Sequence, residues 1–180
     1  DVPLKTELPA NKNELAFYSI PQLASLIMNK KISSVELTKF FIARLKKWDD
    51  TLECVITLTE ELAMKQAKKA DDELKAGIYR GPLHGIPYGL KDLLAVKGYK
   101  TTWVTTPYMD QVLDVDSYVY TELKNHGAVL CAKLSLGALA YNNKWFGGET
   151  KNPWNLSQGS SGSSAGSAAA VSAGLLPFAI

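Results

Sequence analysis

The chain has 180 residues, 46% of them hydrophobic and 9% aromatic, with 20 basic and 18 acidic side chains giving a formal net charge of +2. That is enough apolar material for one sizeable core and excludes wholesale disorder, while charges of both signs mixed along the sequence leave no electrostatic footprint for nucleic acid or a membrane surface. No apolar run reaches the roughly 18 residues of a membrane helix, and no charged-then-apolar leader opens the chain; it begins at Asp1 rather than Met, which fits an exported mature chain, although a cytoplasmic location is the leading expectation.

Residues 1–16 are polar, proline-containing and aperiodic, and predict an extended arm ahead of a single domain over 17–180. A short helix with Pro21 in its first turn follows in SIPQLASLIMNKK. In SSVELTKFFIARLKKWDD, Ser33 and Glu36 form a capping box, and Val35, Leu37, Phe40, Phe41, Leu45 and Trp48 make a broad apolar stripe, so a long amphipathic helix is expected. CVITL (54–58) reads as a buried strand, and Thr57 with Glu60 offers a second capping box for a helix closed by Gly77. That helix mixes signs at Lys65, Lys68, Lys69, Asp71, Asp72 and Glu73, the spacing of a solvated face rather than a binding surface.

The next segment, GPLHGIPYGLKDLLAV, places Lys91 and Asp92 inside an otherwise apolar run. A helix over 116–125 stopping at Gly127 and a buried strand in AVLCAKLS complete an alternation of strands and helices, which predicts an α/β fold: a layered α/β/α arrangement around a mixed, largely buried central sheet. Cys54 and Cys131 sit in apolar runs and read as core thiols without a disulfide. With His84 and His126 the only histidines and no Cys/His/carboxylate cluster, neither a protein-bound metal nor a cofactor is expected.

The stretch QGSSGSSAGSAAAVSAG (158–174) has a tether's composition but runs into apolar sequence and small helix-forming residues ending at Gly174, which favours a rigid loop entering a helix. A phosphate loop needs a lysine, and no Lys or Arg lies between 158 and 180. GSSAG matches the nucleophile-elbow pattern at Ser164, but both histidines are upstream, the wrong order for that triad. From the residues alone, Lys91 is a catalytic base, a fixed ion pair or a snorkelling side chain, and Asp92 is a poor direct partner for it because successive strand residues face opposite ways. Trp103, Trp145, Phe146 and Trp154 are expected in the core rather than along a substrate channel.

GPLHGIPYGLKDLLAVKGYKTT (81–102) and GGETKNPWNLSQGSSGSSAGSAAAVSAGLLPFAI (147–180), with AKLSLGALA between them, together resemble the amidase signature family of serine hydrolases, over nearly all of the chain from Phe17 onward. The resemblance implies the N-terminal part of an amidase signature fold that cleaves carboxylic amides through a Ser-cisSer-Lys triad. Lys91 would be the base and Ser163, on a cis peptide, the relay, with Ser164 and Gly162 in support, while Gly137 and Ala138 fall where family members contact substrate. The family's nucleophilic serine comes about two dozen residues after Ser163, beyond Ile180. The implied partners are a small-molecule or peptide amide and the remaining C-terminal part of the same protein, with homodimerisation open. The glutaminase subunit of a tRNA-dependent amidotransferase resembles the same family. Ser161 and Ala165, which stand where glycines are usual, lean away from that alternative. A third expectation is that these 180 residues alone are catalytically incomplete.

Overall fold

The computed structural model describes residues 5–180. The expected arm needs correcting at its end. Residues 1–4 lie outside the described residues, but Lys12–Phe17 form a 3-10 helix started by the Asn11 side chain, which accepts from the Asn13 N–H, and anchored by buried Leu15 and Ala16. Leu15 belongs to the main core, and its burial holds the segment against the fold.

Helix α1 spans Ile20–Met28 and α2 spans Ser34–Leu52. The predicted capping box is present: Glu36 N–H donates to Ser33 Oγ (3.1 Å), and Glu36 Oε2 accepts from Ser33 N–H (2.9 Å). A left-handed Glu53 ends α2 and turns the chain into β1, Val55–Leu58. Helix α3, Glu60–Lys75, is not capped as predicted. Thr57 lies within β1, and Thr59 at the N-cap position donates its hydroxyl to the Leu130 carbonyl (2.7 Å), because that buried strand offers it a partner. Most of the mixed charges of α3 lie on an exposed face as ion pairs such as Lys65–Glu61 and Lys68–Asp72, but the solvated-face expectation fails at Asp71, which is half-buried and accepts from the N–H groups of Ser34 (2.7 Å) and Val35 (3.1 Å) at the start of α2, and at Glu73, half-buried in its pair with Arg80.

Strand β2 is Pro87–Lys91; α4, Tyr118–Asn125, is capped by Ser117; and β3, Val129–Leu134, is buried along its whole length. The sheet has the order β1-β3-β2, with β1 antiparallel and β2 parallel to the central strand. Segment 178–180 lies along the outer side of β2, bridging Gly89 to Ala179 in parallel. The sheet separates two apolar clusters. Ile86, Val129, Cys131 and Leu134 face the larger one, with α1, α2 and α3; Tyr88, Leu90 and Leu130 face a smaller one with Tyr120 and Leu123 of α4. This is the layered α/β architecture the sequence predicts. Both cysteines are free and buried.

Two short hairpins, β4 (Lys144–Trp145) with β5 (Gly148–Glu149) and β6 (Lys151–Asn152) with β7 (Asn155–Gly159), lead to α5, Ala165–Ser172. Gly174 follows with φ +64°, the left-handed stop expected there.

Candidate functional site

Lys91 is the last residue of β2 and pairs in register with Leu134 of β3; its N–H donates to the Ile180 carbonyl (2.6 Å). Both neighbouring segments therefore hold its backbone. Its amine lies 2.9 Å from Ser163 Oγ and 3.0 Å from Ser164 Oγ. Residues 72 and 73 positions away in sequence thus converge on one nitrogen.

The serines reach it because the loop between β7 and α5 is held by close backbone approach. The Gly162–Ser163 peptide is cis, and Ser161 has φ +65°. A Cβ on Gly162 would lie 1.8 Å from the Asn142 carbonyl oxygen, and one on Gly137 would lie 2.0 Å from the same atom, so both positions admit only glycine. Gly137 donates its N–H to the Ser163 carbonyl (3.0 Å). It is buried and clamps the serine's backbone, while Ala138 beside it is half-buried. Ser164 occupies the N-cap position of α5 without capping it, since its hydroxyl accepts from Lys91 instead. Gly166 comes so close to the end of β3 that a Cβ there would be 2.5 Å from Ser135 N.

Lys91 is half-buried rather than enclosed, and Leu93 two residues on is 40% exposed. Among the described residues it forms no ion pair. Partial burial pushes its pKa below the ordinary lysine value, and the positive end of α5 acts in the same sense.

Asp92, the next residue, points to the other face of the sheet, as strand alternation requires. It and Lys133 are both fully buried and pair at 2.7 Å. The Lys133 amine also donates to the Lys100 carbonyl (3.0 Å) and to Thr101 Oγ1 (3.2 Å), while Asp92 Oδ2 accepts from the N–H (2.9 Å) and the hydroxyl of Thr102. Burial depresses the Lys133 pKa against the pull of Asp92. Sequence reading missed this network, although a lysine inside the apolar strand AVLCAKLS signals a buried carboxylate partner.

His84 is buried, with Nε2 against the Ala70 carbonyl (2.8 Å) and Nδ1 accepting from Arg80 N–H (3.4 Å), a packing role far from the serines in sequence and in partners. The aromatic residues need a correction. Trp103 and Trp145 are half-buried, but Phe146 is 38% and Trp154 85% exposed, because Trp154 sits in the tight turn joining β6 to β7, beyond the reach of either core cluster. Among the described residues no group of three or more His, Cys, Asp or Glu is placed to hold a metal.

Comparison with known proteins matches residues 36–180 to a family described as Amidase. The glutamyl-tRNA(Gln) amidotransferase A-type subunit from Legionella pneumophila (strain Philadelphia 1) is 39% identical over 166 residues, covering 91% of this chain and 34% of that protein. Its counterpart from Marinomonas sp. (strain MWYL1) is 42% identical over 161 residues, covering 87% and 33%. Among solved structures, native peptide amidase from Stenotrophomonas maltophilia superposes with a TM-score of 0.84 at 33% identity, covering 91% of this chain and 36% of that one. Fatty acid amide hydrolase superposes with a TM-score of 0.88 at 30% identity, covering 96% and 31%. The chain thus spans about a third of the length of the curated relatives it matches.

Proposed function

We propose, from the premise that this chain belongs to the amidase signature family and corresponds to its N-terminal part, that the intact protein hydrolyses carboxylic amides with Lys91 as base and Ser163 as proton relay. The observation that carries the reading is the 2.9 Å contact between the Lys91 amine and Ser163 Oγ, with no carboxylate among the described residues paired to the amine to fix it as a cation. A lysine serves as a base only when neutral, and burial favours that form. In the neutral state the Ser163 hydroxyl donates to Nζ. As a nucleophilic serine in the remainder of the protein attacks the amide carbonyl, its proton passes to Ser163 Oγ and the Ser163 proton passes to Lys91. The C–N bond breaks as the same relay returns a proton to the leaving nitrogen, and water then repeats the sequence on the acyl-enzyme. Ser164, bonded to the same amine, holds it over Ser163.

The test is Lys91→Ala in the intact protein. We expect turnover of amide substrates and acylation by a fluorophosphonate to fall by at least about a thousandfold, the scale of losing a general base and its coupled nucleophile. Wild-type acylation in that variant would overturn the role.

A second reading, a glutaminase subunit that hands ammonia to a partner acting on charged tRNA, is favoured by the identity of 39–42% to such subunits. Ser161 and Ala165 in place of glycines weigh against it. Glutamine hydrolysis that requires a co-purifying partner and tRNA would select it over a free-standing amidase. These 180 residues by themselves contain base and relay and are proposed to be inactive.

A further inference from the structure

We propose that Asp92 is a positioning residue for this site: its buried pair with Lys133 and its bonds to Thr102 tie together, from behind the sheet, the strand that carries Lys91 and the loop that carries Ser163. The inference rests on the assignment of Lys91 and Ser163 as base and relay.

Two chains of contacts leave the Asp92 carboxylate and its backbone. Along the first, Asp92 N–H donates to the Leu134 carbonyl (2.9 Å), which fixes the end of β2 on β3 just where Lys91 turns toward the serines. Along the second, Thr102 is held at Asp92 Oδ2, and Trp103 N–H donates to the Asp92 carbonyl (3.3 Å). The Trp103 carbonyl accepts from Leu139 N–H (3.3 Å), and that loop begins at Gly137, whose N–H grips the Ser163 carbonyl. Thr102 Oγ1 in turn accepts from Val104 N–H (3.0 Å), and the Val104 carbonyl accepts from Phe146 N–H (3.3 Å), in the turn between β4 and β5 that follows the same loop. Asp92 is therefore the point from which the frames of base and relay both depart.

A fully buried ion pair adds little net stability over an apolar pair of the same volume, yet losing one partner leaves a costly bare charge. It holds geometry more than it lowers free energy here, because every carboxylate oxygen and three donor directions of Lys133 have assigned partners. Since neither side chain reaches the serines, weakening the anchor should misplace Lys91 against Ser163 without altering what contacts the substrate.

The experiment uses the intact protein. Thr102→Val keeps the side-chain shape and removes the hydroxyl between Asp92 and Val104. We expect kcat per folded molecule to fall about 10- to 100-fold with KM within about twofold, the sensitivity of proton transfer to displacements of about 1 Å, and Thr102→Ser to restore most of it. The rate of fluorophosphonate acylation should fall by the same factor. Asp92→Asn should be at least as severe; should it fail to fold, as an unpaired buried lysine would cause, the Thr102 pair alone decides. Wild-type kcat in folded Thr102→Val, or a loss that Thr102→Ser does not recover, would overturn the inference. Lys91→Ala run alongside separates the two levels: an active Lys91→Ala overturns the base assignment, whereas an inactive one with a fully active Thr102→Val overturns the anchor alone.

Discussion

Lys91 and Ser163 lie in motifs that can be read from the sequence, and each would be ordinary without the other: a lysine at a strand end, a serine in a turn. What the sequence lacked was the pairing of Asp92 with Lys133, which spans 41 positions and depends on β2 and β3 lying side by side; only the odd lysine in an apolar strand hinted at it. The depressed pKa of Lys91 gives a signed expectation. With Lys91 as the proposed base, active only when neutral, kcat/KM of the intact protein should rise with pH until it passes the pKa of Lys91, at an inflection below the ordinary value of 10.5, and level off beyond. Lys91→Arg, charged throughout, should remove that limb together with the activity; a profile that falls with rising pH over this range would contradict the assignment. Ser161 supplies a second expectation at this scale. It is exposed and left-handed at φ +65°, a conformation that costs a non-glycine residue about 1 kcal/mol, so Ser161→Gly should leave stability unchanged or raise it by up to about 1 kcal/mol in a denaturant titration, despite adding freedom to the unfolded chain.

The elements were legible wherever a local rule settles them. Ser33 and Glu36 announce the start of α2, and Gly127 and Gly174 close their helices with positive φ. The rule failed at α3, where Thr57 was claimed by β1 and Thr59 by the Leu130 carbonyl, a tertiary partner that no local spacing reveals. The hairpins from 144 to 159 were missed because their strands are mostly two residues long and rest on register rather than on alternation. Ser33→Ala should cost about 1 kcal/mol, the usual loss of an N-cap. Gly89→Ala should cost more, about 1–3 kcal/mol, since its Cβ would fall 2.4 Å from Leu134 Cδ1 and 2.7 Å from Leu176 Cδ1, in the middle of β2. Calorimetry on the intact variants checks the order; a Gly89→Ala protein melting with the wild type would show that the strand next to Lys91 yields more readily than its packing implies.

At the scale of the whole molecule, composition correctly signals a core, and the two clusters on either side of the sheet supply it. Composition does not show how much apolar surface stays outside. Trp154 is 85% exposed, Tyr141 81%, Tyr118 78% and Leu139 67%, large apolar side chains that no described residue covers. The matched relatives are about three times as long. Residues 1–180 expressed as a separate polypeptide should therefore self-associate at micromolar concentration, read by light scattering; a monodisperse monomer with one cooperative melt would refute this.

Helix α5 carries Ala165, Gly166, Ser167, Ala169 and Ala170 buried on most of its circumference, with no side chain there larger than a hydroxymethyl group. Its tolerance of substitution should therefore follow volume and ignore polarity. In a saturation library of the intact protein, leucine or valine at 165, 166, 169 or 170 would be rejected as firmly as aspartate, whereas serine at 169 or 170 would survive. The segment that composition made look like the slackest part of the chain would thus be the part that admits the fewest alternatives.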